Sequence, residues 1–144
     1  ARLSAGESGR VIGVCYDERE ADELRALDAC HEIILADARK PMEVYSKSLQ
    51  ANIGRKFDLC VNVVNVPDTE MASILPVKDS GQVYFFSMAT SFAKAALGAE
   101  GVGSPAAMLI GNGYTPGHAQ FTLNLLKSHA GLMSLFETRY GGKD

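Results

Sequence analysis

Three hydroxyl side chains crowd residues 87–91, directly after the apolar run 83–86, which has the length and composition of a buried strand. In an open parallel sheet, ligands bind outside the carboxyl ends of the strands, so hydroxyls at this point are placed to meet a ligand. A local role is also open for Ser91, which is suited to cap a helix that begins at Phe92. Both roles are compatible in one segment.

Acidic residues follow two other apolar runs, 10–16 and 32–36. Asp17 falls where dinucleotide-binding domains place an acid that hydrogen-bonds to the ribose hydroxyls, and such a carboxylate favours NAD over NADP because it repels a 2′-phosphate. The alternative for Asp17 is a solvated acid at the end of a strand. Asp37, with Ala38 beside it, is predicted either to meet the adenine edge or to cap the following turn.

Two asparagines interrupt the apolar run 57–66. A buried asparagine is destabilising unless its amide is hydrogen-bonded, so Asn62 and Asn65 each require a partner within the fold or in a ligand. Asn65 lies with Val66 at the predicted end of the third strand. A turn into Pro67 is the alternative for Asn65.

Apolar strands alternate with amphipathic helices along the whole chain. The predicted strands are residues 10–16, 32–36, 57–66, 82–86 and 106–110. The predicted helices are residues 18–29, 41–54, 68–75, 92–97 and 115–140, the last with Thr115 as its cap, Pro116 at its first position and a break at Gly131. Strands that are apolar throughout imply a parallel sheet covered on both faces, which is a Rossmann-like doubly wound α/β fold.

The amino end of this pattern is incomplete for a dinucleotide-binding domain. Such a domain opens with a strand that leads into G-x-G-x-x-G and places the pyrophosphate at a helix amino end. Residues 1–4 are instead typical of the tail of a helix. The ribose-binding acid lies about 20 residues past the glycine loop, so counting back from Asp17 puts that loop before Ala1. We therefore expect a truncated domain without its first strand and its glycine-rich loop.

The composition of the sequence indicates which classes of binding partner to expect. Fourteen Lys plus Arg against seventeen Asp plus Glu give a formal charge of −3 with no basic block, so we expect no nucleic-acid partner. The sequence has neither an apolar run of roughly 18 residues nor a leader, and we expect no membrane span. Three cysteines without C-x-x-C spacing indicate free thiols in a reducing, cytoplasmic compartment, and no spacing predicts a metal site.

Three long segments carry a specific resemblance: VNVVNVPDTEMASIL (61–75), VYFFSMATSFAKAALGAEGVG (83–103) and IGNGYTPGHA (110–119). They resemble the L-erythro-3,5-diaminohexanoate dehydrogenases of bacterial lysine fermentation. The resemblance implies an architecture like that of medium-chain dehydrogenases, and oxidative deamination of 3,5-diaminohexanoate to 5-amino-3-oxohexanoate and ammonia with NAD. It also implies that residues 1–144 are a partial NAD-binding domain whose catalytic domain is absent from this chain.

The same resemblance suggests roles for residues near the strand ends. In enzymes of similar architecture the nicotinamide ribose passes the end of the third strand, here Asn65 and Val66, and the carboxamide lies near the end of the fourth, here Ser87 and Met88. The expected partner on the substrate side is a small diamino acid.

Two residues are candidates for the catalytic chemistry. Lys94 is placed to meet a substrate carboxylate, with a solvated helix lysine as the alternative. His118 lies in the predicted first turn of the last helix, where the macrodipole favours a neutral imidazole suited to a proton relay. A packed or exposed histidine is the alternative there.

A non-catalytic role is the second hypothesis for the isolated piece, which would then serve as an assembly or dimerisation module. Related dehydrogenases extend their sheets through the last strand, here residues 106–110, and loss of the first strand leaves unpaired edges beside residues 10–16 and 57–66. Pairing through the last strand or through the unpaired edges would each give a homo-oligomer. A third reading, a methyltransferase of the same fold class, conflicts with the family-specific segments.

Overall fold

The structure is a computed structural model that describes residues 9–111 and 115–142. Strands and helices alternate through most of it, which confirms the predicted α/β class. The elements are β1 (Ile12–Cys15), α1 (Glu18–Ala26), β2 (Glu32–Leu35), α2 (Pro41–Ala51), β3 (Phe57–Asn62), α3 (Glu70–Ile74), β4 (Val77–Phe85), α4 (Phe92–Gly101), β5 (Ala107–Ile110), α5 (His118–Ser128) and α6 (Ala130–Tyr140).

The five described strands form two parallel sheets rather than one. Strand β1 pairs with β2, and β4 lies between β3 and β5. A cavity of about 1010 Å³ separates the sheets, and its walls include residues of both β1 and β3. The parallel pairing agrees with the sequence prediction. The division into two sheets leaves β1 and β3 each with one edge that no described strand pairs.

Strand β3 ends at Asn62, four residues before the predicted end at Val66. The backbone N–H of Val64 donates to Oδ1 of Asn62 at 3.0 Å, and this local bond turns the chain out of the ladder. Asp68 then adopts a left-handed backbone with φ of 68°. The prediction that residues 63–66 continue the strand is therefore wrong.

Strand β4 begins at Val77, five residues before the predicted start at Gln82. Phe57 pairs with Val77 and Leu59 pairs with Gln82, so β4 carries extra residues as a bulge. A Cβ atom on Gly81 would lie 2.6 Å from a methyl group of Val77, so this tight bulge requires glycine.

One face of the three-stranded sheet holds the main core. Val83 and Phe85 of β4 are fully buried against helices α3 and α4, in a cluster that contains Ile74, Val77, Val83, Phe85, Ala95, Ala99 and Ala106. On the opposite face the register aligns Val61, Tyr84 and Leu109, and Val61 and Leu109 are 49% and 48% exposed. The structure thus differs from the expected covering on both faces, because Val61 and Leu109 remain about half exposed on this second face.

Several helix ends also differ from the sequence prediction. Helix α1 ends at Ala26, before the left-handed Asp28, and α4 continues to Gly101, four residues beyond its predicted end at residue 97. Helix α5 begins at His118 instead of Thr115, because Gly117 has a φ of 82°, which no helical residue adopts. The break before α6 lies at His129 rather than at Gly131. Among the described residues, no helix is long and apolar enough to cross a membrane.

Candidate functional site

The cavity between the two sheets brings together four of the residues predicted at strand ends. Asp37 and Ala38 line it from the segment after β2, and Asn65 and Val66 line it from the segment after β3. These segments are separated by 26 residues in sequence, and both border the space between the two sheets. The cavity is at the upper end of the size range typical of ligand sites.

Asp17 caps helix α1 at the same end of the molecule. Its Oδ1 accepts from the backbone N–H of Glu20 at 2.9 Å, and a carboxylate oxygen of Glu20 accepts from the N–H of Tyr16 at 3.0 Å. Tyr16 and Glu20 line the cavity, so this reciprocal cap holds Asp17 beside it. The carboxylate remains exposed to solvent.

Asp37 forms a planar, two-pronged ion pair with Arg39. Its two oxygens accept from Nε and Nη2 of Arg39 at 3.0 and 2.9 Å, and Oδ1 also accepts from the Arg39 N–H. The guanidinium hydrogen bonds, followed by the backbone hydrogen bond, lower the pKa of Asp37 to about 2. Arg39 also lines the cavity, so the pair presents a fixed carboxylate and a planar cation on the same wall.

Asn62 organises the segment that carries Asn65 and Val66. Its amide nitrogen donates to Oγ1 of Thr69 at 3.0 Å and to Oγ of Ser73 at 2.9 Å, and its Oδ1 holds the N–H of Val64. Asn62, Thr69 and Ser73 are all buried. The predicted need for a partner at Asn62 is confirmed, and the partners lie within the fold.

Ser87 connects the segments after β3 and β4. Its hydroxyl donates to the backbone carbonyl of Val64 at 2.7 Å and accepts from the N–H of Ala89 at 3.1 Å. Met88, the other predicted residue in this segment, is 81% exposed. Neither residue lines the cavity, but Ser87 holds a carbonyl that does.

Helix α4 begins against a buried carboxylate. Ser91 caps it by accepting from the Lys94 N–H at 3.3 Å, which confirms the predicted local role of Ser91. The Ser91 N–H itself donates at 2.7 Å to Glu70, which is only 2% exposed. Lys94 forms an exposed ion pair with Asp68, and that hydrogen bond raises the pKa of Lys94.

His118 is the first residue of α5, as the prediction of a first-turn histidine requires. Its Nδ1 lies 2.8 Å from the carbonyl oxygen of Thr115. His118 does not line the cavity. The structure therefore brings Asp37, Ala38, Asn65 and Val66 together but leaves His118 and Lys94 outside that group.

Two of the three cysteines, Cys15 and Cys60, also line the cavity. Burial raises the pKa of Cys60 to about 11, and burial likewise raises the pKa of Cys15. A smaller pocket of about 270 Å³, lined in part by Cys30 and His31, lies around the start of β2. Within residues 9–111 and 115–142, no three metal-ligating side chains cluster.

Two features of the candidate site were not identified from the sequence: the ion pair of Arg39, and the hydrogen bonds of Thr69 and Ser73. Arg39 had no signal beyond its place two residues after Asp37, although that spacing suits a turn in which the acid accepts the N–H two residues on. The role of Thr69 and Ser73 as partners of Asn62 depends on where α3 packs, which no local pattern specifies.

The chain is similar in sequence to two proteins that are named as dehydrogenases. It is 49% identical over 140 residues to the L-erythro-3,5-diaminohexanoate dehydrogenase of Acetoanaerobium sticklandii, covering 97% of this chain and 41% of that protein. It is 50% identical over 135 residues to the enzyme of the same name from Fusobacterium nucleatum, covering 94% of this chain and 39% of that protein. No family model matches the chain. The chain thus spans about two-fifths of the length of these relatives, and over nearly its whole length it is similar to L-erythro-3,5-diaminohexanoate dehydrogenases.

Proposed function

We propose that the intact protein is an NAD-dependent, cytoplasmic dehydrogenase that oxidatively deaminates L-erythro-3,5-diaminohexanoate to 5-amino-3-oxohexanoate and ammonia. In this proposal residues 1–144 form the carboxyl-terminal part of its cofactor domain, and the catalytic domain lies elsewhere in the protein. The observation that carries the proposal is the convergence of Asp37, Ala38, Asn65 and Val66 on one cavity in a chain that is about half identical to enzymes of that name.

The polar groups around the cavity fit part of a dinucleotide. The exposed carboxylate of Asp17 suits the hydroxyls of a ribose, and Asp37 with Ala38 suits the adenine edge. Asn65 and Val66 would meet the nicotinamide ribose, and the segment of Ser87 and Met88 would meet the carboxamide. The sequence contains no G-x-G-x-x-G run, so the pyrophosphate would be held by another part of the protein.

When bound, the cofactor would supply the acceptor for a hydride from the amine-bearing carbon of the substrate. The protein groups orient the two partners and handle protons. We assign the substrate carboxylate to Lys94, whose exposed pairing with Asp68 can be exchanged for another carboxylate. We assign a proton relay to His118, the first residue of α5.

Cofactor titration of the full-length protein tests the proposal. We expect NAD to bind at least tenfold more tightly than NADP, and Asp17→Ala to weaken NAD binding tenfold or more while leaving NADP binding nearly unchanged. Asp79→Ala is the matched control, because Asp79 is an exposed acid in the β4 bulge and does not line the cavity. Equal affinity for both cofactors, or an equal effect of the two substitutions, would overturn the assignment of Asp17.

Turnover tests the substrate separately. The full-length protein should release ammonia from L-erythro-3,5-diaminohexanoate with one equivalent of NADH formed. His118→Gln should lower kcat and change its pH profile, whereas Lys94→Gln should mainly raise KM. If the protein binds NAD but does not turn over this diamino acid, it would be a dehydrogenase that acts on another class of substrate.

A specific observation favours a second role as a dimerisation module. Strand β5 lies at the outer edge of the three-stranded sheet, and Leu109 and Ile110 at that edge are 48% and 38% exposed. Such an edge promotes pairing with another chain. The isolated chain should then sediment as a homo-oligomer. The N–H of Gly111 donates to the carbonyl of Phe85, so by strand alternation the N–H of Leu109 faces β4 and that of Ile110 faces the outer edge, and Ile110→Pro should dissociate the oligomer without loss of its circular dichroism. A monomer at tens of micromolar would exclude this role.

A further inference from the structure

The segment after β3 turns sharply at Asp68. This residue follows Pro67 and has a left-handed backbone with φ of 68°, a conformation that aspartate tolerates better than most residues with a side chain. The next two residues, Thr69 and Glu70, are buried and hydrogen-bonded, Thr69 to the amide of Asn62 and Glu70 to the N–H of Ser91. The backbone of the turn is therefore fixed, while the side chain of Asp68 stays more than half exposed.

Lys94 lies opposite this turn, in the first turn of α4. Its Nζ atom donates to Oδ1 of Asp68, and both side chains are more than half exposed. The hydrogen bond to Asp68 raises the pKa of Lys94, and the nearby carboxylate of Glu70 adds to this effect. Two carboxylates thus lie close to one ammonium group, and this group of three favours the approach of a further cation.

The ion pair joins the two segments that the proposed function assigns to the nicotinamide. In sequence, Asp68 lies between Val66 and Thr69, which both line the cavity. Lys94 belongs to the helix that follows residues 87–88. A molecule that contacts both members of the pair would therefore lie at the nicotinamide end of the cavity.

The ion pair can open without separating these segments. Two other hydrogen bonds already join them, from the N–H of Ser91 to Glu70 and from the hydroxyl of Ser87 to the carbonyl of Val64. Exposed ion pairs contribute little to stability, because water solvates both charges when the pair is broken. The charges of Asp68 and Lys94 can therefore be exchanged for those of a ligand.

The substrate of the proposed reaction carries charges that complement the pair. 3,5-Diaminohexanoate has a carboxylate at C1, an amine at C5 and the reacting amine at C3, midway between the two ends. An alkyl amine such as that at C5 is protonated near neutral pH, as the side chain of lysine is. When the carboxylate at C1 pairs with Lys94, Asp68 loses its partner, and the ammonium group at C5 can replace it.

We propose that Asp68 is a specificity residue that binds the C5 ammonium group of the substrate. This proposal rests on the proposed function, because it takes Lys94 as the partner of the substrate carboxylate. One ion pair within the protein is exchanged for two with the substrate, so no charge is left without a partner. Because both ends of the substrate are held, C3 lies between them and can present its hydrogen to the nicotinamide.

A comparison of two ligands separates this role from a structural one. In the full-length protein, Asp68→Asn should raise KM for L-erythro-3,5-diaminohexanoate about tenfold or more, because the C5 ammonium group loses its partner. The inhibition constant of 3-aminohexanoate, which lacks the C5 amine, should stay the same or fall, because no carboxylate then competes for Lys94. An equal rise in both constants would overturn the proposal, since a distorted site weakens both ligands.

Two further variants control for the backbone and for the loss of charge. Asp68→Gly keeps a residue that adopts the left-handed conformation without strain, and it should raise KM as Asp68→Asn does. Asp58→Asn should leave KM unchanged, because Asp58 is an exposed acid that pairs with Lys78 near the start of β3. An unchanged KM in Asp68→Gly, or an equal rise in Asp58→Asn, would contradict the role of Asp68.

Failure of the proposed function would give a different result. If the wild-type protein binds NAD but does not deaminate the diamino acid, the substrate assignment is wrong and the role of Asp68 is wrong with it. If the wild-type protein deaminates the diamino acid and Asp68→Asn leaves KM unchanged, the proposed function stands and the role of Asp68 alone is wrong.

Discussion

The three-stranded sheet and the two-stranded sheet bury their apolar residues in different ways. Strand β4 has a neighbour on each edge, and Val83 and Phe85 are completely buried beneath α3 and α4. The two-stranded sheet has no central strand, and its buried cluster with α2 and α3 contains only Ala36, Val44 and Ala72. Because stability increases with the apolar area removed from water, most of the packing free energy lies in the three-stranded half.

The largest expected effect comes from the centre of that half. Phe85→Ala should lower the free energy of unfolding by about 3–5 kcal/mol, because it removes a fully buried ring and leaves a cavity. Val44→Ala, in the smaller cluster, should have less effect, about 1–2 kcal/mol. Urea titration of the chain measures both values. Phe86→Ala is the control, since Phe86 is 46% exposed, and an equal or larger effect of Val44→Ala would reverse the comparison.

The next effect concerns the polar network beside β3. Asn62→Ala should cost about 2 kcal/mol, because Thr69, Ser73 and the N–H of Val64 all lose a buried partner. Asn65→Ala should stay within about 0.5 kcal/mol, because Asn65 is exposed. The same urea titration separates the two asparagines. Equal effects would mean that the network does not stabilise the three-stranded half.

A smaller effect should appear in the two-stranded half. Gly13→Ala should destabilise the protein by about 1 kcal/mol, since the new Cβ would lie 2.9 Å from Sγ of Cys30 and 3.2 Å from Leu24. Gly101→Ala, at the end of α4 with nothing within 4 Å, should instead stabilise by about 0.5 kcal/mol. Thermal unfolding monitored by circular dichroism shows whether each substitution lowers or raises the stability. A neutral Gly13→Ala would indicate a looser two-stranded half than the contacts imply.

The smallest effect is electrostatic and depends on pH. The folded pKa of Asp37 is about 2, below its ordinary value, because Arg39 hydrogen-bonds to the carboxylate. A depressed pKa adds stability above the unfolded pKa of about 4, and this stability is lost as the pH falls from about 4 to about 2. Carbon-detected NMR titration should place the Asp37 midpoint near the lower value. Arg39→Gln should return it toward the ordinary value, and an unchanged midpoint would contradict the assigned cause.

The sequence predicted the strands at 32–36 and 106–110 because each is a continuous apolar run of strand length. The exposure of Leu109 and Ile110 was not predictable from that run. The end of β3 was missed because the side chain of Asn62 competes for a backbone N–H, a choice that apolar content does not reveal. The start of β4 was missed because its bulge, Lys78 to Gly81, has the composition of a loop.

The candidate site was predictable to a similar degree. The rule that ligands meet the carboxyl ends of parallel strands predicted Asp37, Ala38, Asn65 and Val66 as cofactor contacts, and that role stays a prediction. All four residues line one cavity. The contacts of Ser87 and Arg39 were not predictable, since each depends on a side-chain rotamer and on the packing of neighbouring segments. The expected loss of a central strand agrees with the division between β1 and β3.

The hydroxyl of Ser87 makes the segments after β3 and β4 respond together. This hydroxyl donates to Val64 in the segment after β3 and accepts from Ala89 within its own segment, so moving one segment relative to the other breaks the bond to Val64. A ligand that orders one segment therefore orders both, and its affinity includes the loss of conformational entropy of the two segments at once. In Ser87→Ala each segment would lose its conformational entropy independently. A ligand that contacts only one segment would then leave the other free to move.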